Sequence, residues 1–148
     1  MNYWRMQLHP ADPHRASFHA AQSLCAGFIG LDFEQDEGDL MRAMRQNLPS
    51  THRDYWGFAH DMTIGDKVLI ISHHFPFALA TVAGDYNYIR QPVPEIGVWF
   101  RHFRRVKDVQ LYSDRVTNAA NWQQLKMTDT LARLQDTQSQ SYQLIDSW

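Results

Sequence analysis

Residues 65–106 constrain the fold of this 148-residue chain more than any other segment. Three strand-like runs begin within them, GDKVLIIS, FALATVAGDYNY and GVWFRHFRRVKDV. β-Branched and aromatic residues are typical of strands, and Gly-Asp and Pro-containing steps are typical of the turns between them. Together with the opening NYWRMQL and the run GFIGLDF, these runs predict a small closed β-barrel with exposed aromatic side chains.

Hydrophobic spacing predicts helices around the strands. We expect helices over residues 13–24 and 36–48, a third beginning at Thr51, and two short ones over residues 117–125 and 128–134. The first helix is expected to place four residues on one side, namely Phe18, Ala21, Gln22 and Cys25. The chain is therefore predicted to be one α+β domain, with a barrel core over residues 2–112 and a helical extension over residues 113–148.

Composition limits the class of protein. Hydrophobic residues make up 44% and charged residues 20% of the chain, which is ordinary for a globular protein. No apolar run approaches the roughly 18–20 residues needed to cross a bilayer, and the start lacks the features of a signal peptide. The single cysteine, Cys25, excludes an internal disulfide and agrees with a reducing compartment. We therefore expect a cytoplasmic protein with no membrane partner.

Basic residues are concentrated in one part of a chain whose net charge is −2. Five of the 14 Lys and Arg residues lie between positions 90 and 107. A local basic face of this kind either binds phosphate or protects an exposed edge strand from aggregation, and the sequence leaves both open. We expect a strand over residues 95–112, and its alternation places one set on one face, namely Trp99, Arg101, Phe103, Arg105 and Lys107. It places the other set on the opposite face, namely Val98, Phe100, His102, Arg104 and Val106.

A series of short motifs occurs in a defined order over residues 2–110. They are Tyr3-Trp4, Ile29-Gly30-Leu31-Asp32, Gly38-Asp39-Leu40, the stretch from Phe58 to Val68, Gly84-Asp85-Tyr86 and Arg104-Arg105-Val106. This order resembles the PUA-like superfamily, specifically its EVE and YTH-like branch, and the recognition domains of modification-dependent restriction systems. The resemblance implies a mixed β-barrel of five to six strands flanked by helices.

The resemblance also implies an aromatic pocket for a methylated or otherwise modified base, beside the second strand and the turn after the fourth. The corresponding residues are Trp4, Leu31, Asp32, Phe33, Tyr86, Tyr88 and Trp99. Leu31 stands where base-binding relatives often have a tryptophan, so it would serve as an apolar wall. A loop at the pocket mouth would contain His73, His74 and Phe75, and phosphates would contact Arg101, Arg104, Arg105 and Lys107.

Several of these residues also have a purely structural interpretation. Trp4 suits a barrel core, Asp32 and Asp85 suit turns, and Trp99 suits a core position beside arginines that extend to solvent. By contrast, Tyr86 and Tyr88 follow a strand and lie in a predicted loop, where burial in the core is a weaker explanation for an aromatic side chain.

We expect a non-catalytic domain that recognises a modified or flipped nucleobase in DNA or RNA, without a cofactor or metal. No Gly-x-Ser-x-Gly, His-Glu-x-x-His or Cys-x-x-Cys motif is present in the sequence. A separately encoded nuclease is a possible partner, and oligomeric state is left open. The alternatives are a small-molecule or nucleotide sensor on the same barrel and a small hydrolase that uses His73 or His74.

Overall fold

The computed structural model describes residues 1–8, 13–112, 124–125 and 129–148. The strands are β1 (Tyr3–Gln7), β2 (Phe28–Leu31), β3 (Lys67–Ser72), β4 (Phe75–Val82), β5 (Asn87–Tyr88), β6 (His102–Leu111) and β7 (Leu131–Leu134). The α-helices are α1 (Ala16–Ala26), α2 (Trp56–His60) and α3 (Gln140–Asp146). Short 3-10 helices cover Pro13–Arg15, Arg45–Asn47, Ser50–Tyr55 and Pro94–Ile96.

The strands form one curled sheet in the order β2-β6-β4-β3-β1-β7, and the two-residue β5 also pairs with β6. β1 and β3 are parallel, whereas the other pairs are antiparallel. The sheet wraps as a half-barrel around a core to which α1 and α2 also contribute. The predicted α+β class and a barrel-like arrangement are therefore confirmed. The predicted closure is not, because the edge strands β2 and β7 are not paired with each other in the described part of the chain.

The core has two parts, one on each face of the sheet. The larger part fills the inside of the half-barrel, with Trp4, Met6, Ile70 and Phe58 among its most buried members. A smaller cluster lies on the outer face, where Ile145 of α3 packs near Leu69, Ile71, Leu79 and Leu125. The chain thus buries both faces of β3, whose sequence KVLIIS is continuously apolar from Val68 to Ile71.

Strand predictions agree closely with the structure. β3 covers the predicted residues and forms a hairpin with β4 through His73 and His74, whose φ angles of 51° and 66° are those of a two-residue type I′ turn. The predicted alternation over residues 98–107 is also confirmed, because the whole set from Val98 to Val106 that was assigned to one face is buried. Regular pairing nevertheless begins only at His102, so residues 95–101 are not part of the strand.

The helix predicted over residues 36–48 is wrong. This segment is a series of turns followed by the 3-10 helix Arg45–Asn47. The carboxylates of Asp36 and Asp39 accept hydrogen bonds from the backbone N–H groups of Gly38 and Met41, each at 2.9 Å. Such side chain to backbone bonds compete with helix formation and explain the difference.

The prediction of a helix over residues 128–134 is also wrong, because Leu131–Leu134 is strand β7, which pairs with β1. The helix predicted over residues 117–125 lies outside the described residues apart from Gln124 and Leu125. Helix α1 is present, but it buries a different side from the one predicted. Phe18 is 42% exposed, while His19, Ala20 and Leu24 face the core.

The described part of the chain holds no helix that is both long and apolar enough to cross a membrane.

Candidate aromatic site at the end of strand β2

A cluster of aromatic side chains forms where β2 ends and β6 begins. The register places Leu31 of β2 opposite His102, and His102 opposite Tyr88 of β5. Gly30 permits this arrangement, because a Cβ atom there would lie 2.6 Å from the His102 carbonyl oxygen and 2.7 Å from the Phe100 side chain. The Ile-Gly motif therefore has a structural basis in the close approach of β2 to the chain around His102.

His102 is at the centre of this cluster and is 0% exposed. The centroid of its ring lies 5.2 Å from that of Phe33, 5.3 Å from that of Tyr88 and 6.0 Å from that of Tyr86. Phe33 in turn contacts His52 at 4.8 Å and Tyr55 at 5.3 Å. We call the group of Phe33, His52, Tyr55, Tyr86, Tyr88 and His102 the aromatic cluster.

The tautomer of His102 is assigned from its contact with Tyr86. The backbone N–H of Leu40 donates to the Tyr86 hydroxyl oxygen at 3.0 Å, and this hydroxyl lies 2.7 Å from His102 Nδ1. Burial lowers the pKa of His102 to about 4, so the ring is neutral at pH 7. Burial raises the pKa of Tyr86, so its hydroxyl keeps its proton, and Nδ1 is the acceptor within reach. On this ground we assign the proton of the neutral ring to Nε2.

His102 Nε2 is a buried N–H donor that has no hydrogen-bond partner among the described residues. Leaving such a group unpaired costs roughly 1–3 kcal/mol, so buried unpaired donors are uncommon in native proteins. Aromatic rings surround this donor, and the neighbouring Tyr88 is half-buried rather than fully enclosed. The arrangement is suited to a flat ligand that has a hydrogen-bond acceptor on its edge.

An ion pair holds the loop that follows β2 beside the cluster. Arg101 Nε donates to Asp32 Oδ1 at 2.6 Å, and Arg101 Nη2 donates to the Phe33 carbonyl oxygen at 2.6 Å. The Tyr88 hydroxyl donates to Asp36 Oδ2 at 2.7 Å, a bond that raises the pKa of Tyr88 and lowers that of Asp36. These contacts order residues 32–36 and thereby set the position of the Phe33 ring.

The structure thus brings together Asp32, Phe33, Tyr86 and Tyr88 of the predicted pocket, with the buried side chain of Leu31 beneath them. Trp99 instead packs against α1, 4.7 Å from the ring of His19.

Trp4 lies in the core, where its indole N–H donates to Asp66 Oδ2 at 2.9 Å. Asp66 also accepts from the backbone N–H groups of Asn2 and Thr63. Burial alone would raise the pKa of Asp66, but these hydrogen bonds outweigh burial and lower it. Trp4 and the Gly65-Asp66 motif therefore have a structural role.

His73, His74 and Phe75 lie at the start of β4, whereas Tyr86 follows its end. Eight residues of strand separate the two positions, or about 25 Å at roughly 3.3 Å per residue. The hairpin turn is therefore not beside the aromatic cluster.

The basic residues predicted to contact phosphate have different environments. Arg104 is buried, and its guanidinium donates to the carbonyl oxygens of Phe58, Ala59 and Gly84 at 2.8, 3.1 and 3.0 Å. Arg101 holds the loop after β2, as described above. Only Arg105 and Lys107 remain exposed, and the Arg105 guanidinium lies 5.1 Å from the ring centroid of Phe28.

Sequence reasoning missed His102, His52 and Tyr55 as members of the site. The alternation along β6 did place His102 on one face with Val98, Phe100 and Val106, and a histidine in that mostly apolar set was a usable signal. No local pattern places His52 or Tyr55 next to Phe33, because that contact depends on how the Ser50–Tyr55 helix packs on the loop after β2.

Comparison of the chain with models of known protein families and with curated proteins gives no match. Within the described residues, no three His, Cys, Asp or Glu side chains are grouped so that they could hold a metal ion. The geometry of the aromatic cluster is therefore the observation that bears on function.

Proposed function

We propose that this chain is a PUA-like domain of the EVE/YTH-like type that binds nucleic acid and recognises a modified or flipped nucleobase. The aromatic cluster receives the base, and no chemical reaction is required of it. The observation that carries this proposal is the buried, unpaired Nε2 of His102 among aromatic rings. This combination supplies both stacking and one directional donor.

The chemistry of a base matches both features. Every base has a flat face, and stacking on an aromatic side chain contributes about 1–3 kcal/mol per base. Every base also has ring nitrogens or carbonyl oxygens that accept a hydrogen bond, as the Nε2–H group requires. A base inside a duplex cannot reach such a group, so the ligand is a flipped base or a base in a single strand.

Tyr88 offers a direct test, because its side chain is half-buried and contributes both a ring and a hydroxyl. Tyr88→Ala should weaken binding of an oligonucleotide with methylated adenine or cytosine about tenfold, since a stacking ring is lost. Tyr88→Phe keeps the ring and should bind within about threefold of the unaltered chain. Fluorescence anisotropy measures these affinities, and Tyr3→Ala, on a ring that packs against Tyr142 of α3, is the control.

Equal and weak binding of methylated and unmethylated strands at low salt would contradict base recognition. A sensor of free nucleotides would use the same cluster and gives a different pattern. In that case, free modified nucleosides raise the melting temperature, while oligonucleotides do not bind.

A further inference from the structure

A second candidate binding site lies on the other side of the Ser50–Tyr55 helix. A cleft of about 380 Å³ is lined there by residues of this helix, α2 and β7. Three arginines from separate parts of the chain contribute to it, namely Arg45, Arg53 and Arg133. Asp54 and Asp61 also line the cleft, so these five charged side chains carry a net charge of +1 in a protein whose net charge is −2.

The cleft contains an aromatic ring that is held rigidly. Trp56 lines it and stacks on His60, with ring centroids 3.7 Å apart and an angle of 11° between the planes. The Trp56 indole N–H donates to the Ala43 carbonyl oxygen at 3.0 Å, and His60 Nε2 lies 2.8 Å from the Leu40 carbonyl oxygen. A ring held in this way loses little conformational freedom when a ligand stacks on it.

Two of the three arginines of the cleft can be redirected toward a ligand at low cost. Arg45 contacts Asp54 at 3.7 Å, and both side chains are more than half exposed. Exposed pairs of this kind contribute about 0–1 kcal/mol, so a phosphate group can replace the carboxylate. Arg133 is likewise exposed and donates to the side-chain oxygen of Asn2 at 2.7 Å.

The cleft and the aromatic cluster share one structural element. Within the Ser50–Tyr55 helix, His52 and Tyr55 contact Phe33 of the cluster, whereas Arg53 and Asp54 line the cleft. A ligand longer than one nucleotide can therefore occupy both sites across a single short helix. By comparison, β6 retains only Arg105 and Lys107 as exposed cations of the set predicted to bind phosphate.

We propose that this cleft binds the sugar-phosphate backbone next to the recognised base, with Arg45, Arg53 and Arg133 contacting phosphates and Trp56 stacking on a neighbouring base. The inference rests on the proposed function. It places the phosphate contacts in the cleft, whereas the sequence predicted them on and beside β6.

The test compares two double variants of the full chain with the same change in charge at exposed positions. Arg45→Glu with Arg133→Glu alters the cleft, and Arg105→Glu with Lys107→Glu alters β6. Binding of a fluorescein-labelled single strand of about 12 nucleotides, as DNA and as RNA and with and without a methylated base, is measured over a range of salt concentrations. Circular dichroism checks that both variants are folded.

We expect the cleft variant to bind at least tenfold more weakly than the unaltered chain. The slope of log affinity against log salt should fall by about 1.4, or about 0.7 for each lost contact with a single-stranded phosphate. The β6 variant should stay within about threefold. An equal loss in both variants, or a larger loss in the β6 variant, overturns the inference.

The modified base separates this inference from the proposed function. If the unaltered chain binds methylated and unmethylated strands equally and only the cleft variant loses affinity, backbone binding in the cleft stands and base recognition fails. If the preference for the methylated strand persists and the cleft variant binds normally, the cleft inference fails alone. If the unaltered chain binds no strand, both fail.

Discussion

At the scale of single residues, His102 links the stability of the protein to pH. Its pKa is lowered to about 4 by burial, against about 6.5 in an unfolded chain. Between these values the unfolded state binds a proton that the folded state does not, so the free energy of unfolding decreases as the pH falls from 6.5 to 4. The total decrease in the free energy of unfolding from this group is about 3 kcal/mol, and it is complete once the pH is below about 4.

Urea denaturation at several pH values between 7.5 and 4 measures this dependence. His102→Gln removes the titrating group, so the difference in stability between the two proteins should change over that interval. The carboxylates with lowered pKa values, such as Asp66, act in both proteins and cancel in the comparison. A constant difference between the two curves would contradict the assignment.

Arg104 and Arg105 are neighbours in the sequence whose substitution should have very different effects. Arg104 satisfies the carbonyl oxygens of Phe58 and Ala59 in α2, as well as that of Gly84. Arg104→Ala leaves these acceptors without their donor and should lower the free energy of unfolding by about 3–5 kcal/mol. Arg105→Ala, at an exposed position, should lower it by less than about 1 kcal/mol.

Chemical denaturation of both variants provides the measurement. Arg104→Lys is informative as well, because an ammonium group cannot present the planar fork that reaches three carbonyl oxygens. It should recover little of the lost stability. Similar stabilities for the two alanine variants would show that the carbonyl contacts of Arg104 contribute little.

At the scale of elements, the turn of the β3–β4 hairpin holds two histidines in a backbone conformation that is unfavourable for them. His73 and His74 both have positive φ angles, which asparagine and glycine adopt more readily. The double variant with His73→Asn and His74→Gly should therefore raise the free energy of unfolding by about 1 kcal/mol. Thermal denaturation detects the change as a higher melting temperature.

The same variant tests the hydrolase alternative. Because the turn and the aromatic cluster lie at opposite ends of β4, the variant should bind oligonucleotides as the unaltered chain does. Any hydrolytic activity that survives in it does not depend on these histidines. A loss of oligonucleotide binding would place the turn in the site after all.

At the scale of the whole molecule, the C-terminal part of the chain completes the fold. β7 pairs with β1, and Ile145 of α3 is 5% exposed against the outer face of β3 and β4. Ile145→Ala should lower the free energy of unfolding by about 2–5 kcal/mol, since it leaves a cavity in the smaller core. Far- and near-ultraviolet circular dichroism should still report one coincident transition.

Gln143→Ala on the exposed side of α3 is the matched control and should change stability by less than about 0.5 kcal/mol. If Ile145→Ala instead produced a separate early transition, α3 would unfold independently of the half-barrel. That outcome would support the sequence-based division into a barrel core and a separate extension.

Most strands and the alternation along β6 could be predicted because they follow from local patterns. A run such as KVLIIS fits a buried strand. The alternation from Val98 to Val106 identifies residues that share a face, and the structure shows that this face is the buried one. Helices were less predictable, since Asp36 and Asp39 bond to nearby backbone groups where the spacing of Leu40 and Met44 favours a helix. Leu131–Leu134 is too short for its period to distinguish a strand from a helix.

The sequence by itself determined strands β1 to β4, the aromatic residues after β2 and β4, and the set of β6 residues that share a face with His102. Only the tertiary structure decided that Tyr86 meets His102, that Arg104 turns inward, and that Arg45, Arg53 and Arg133 line one cleft. The physical reason is distance along the chain. Hydrophobic pattern and turn chemistry act between near neighbours, whereas these contacts join residues brought together by the curled sheet.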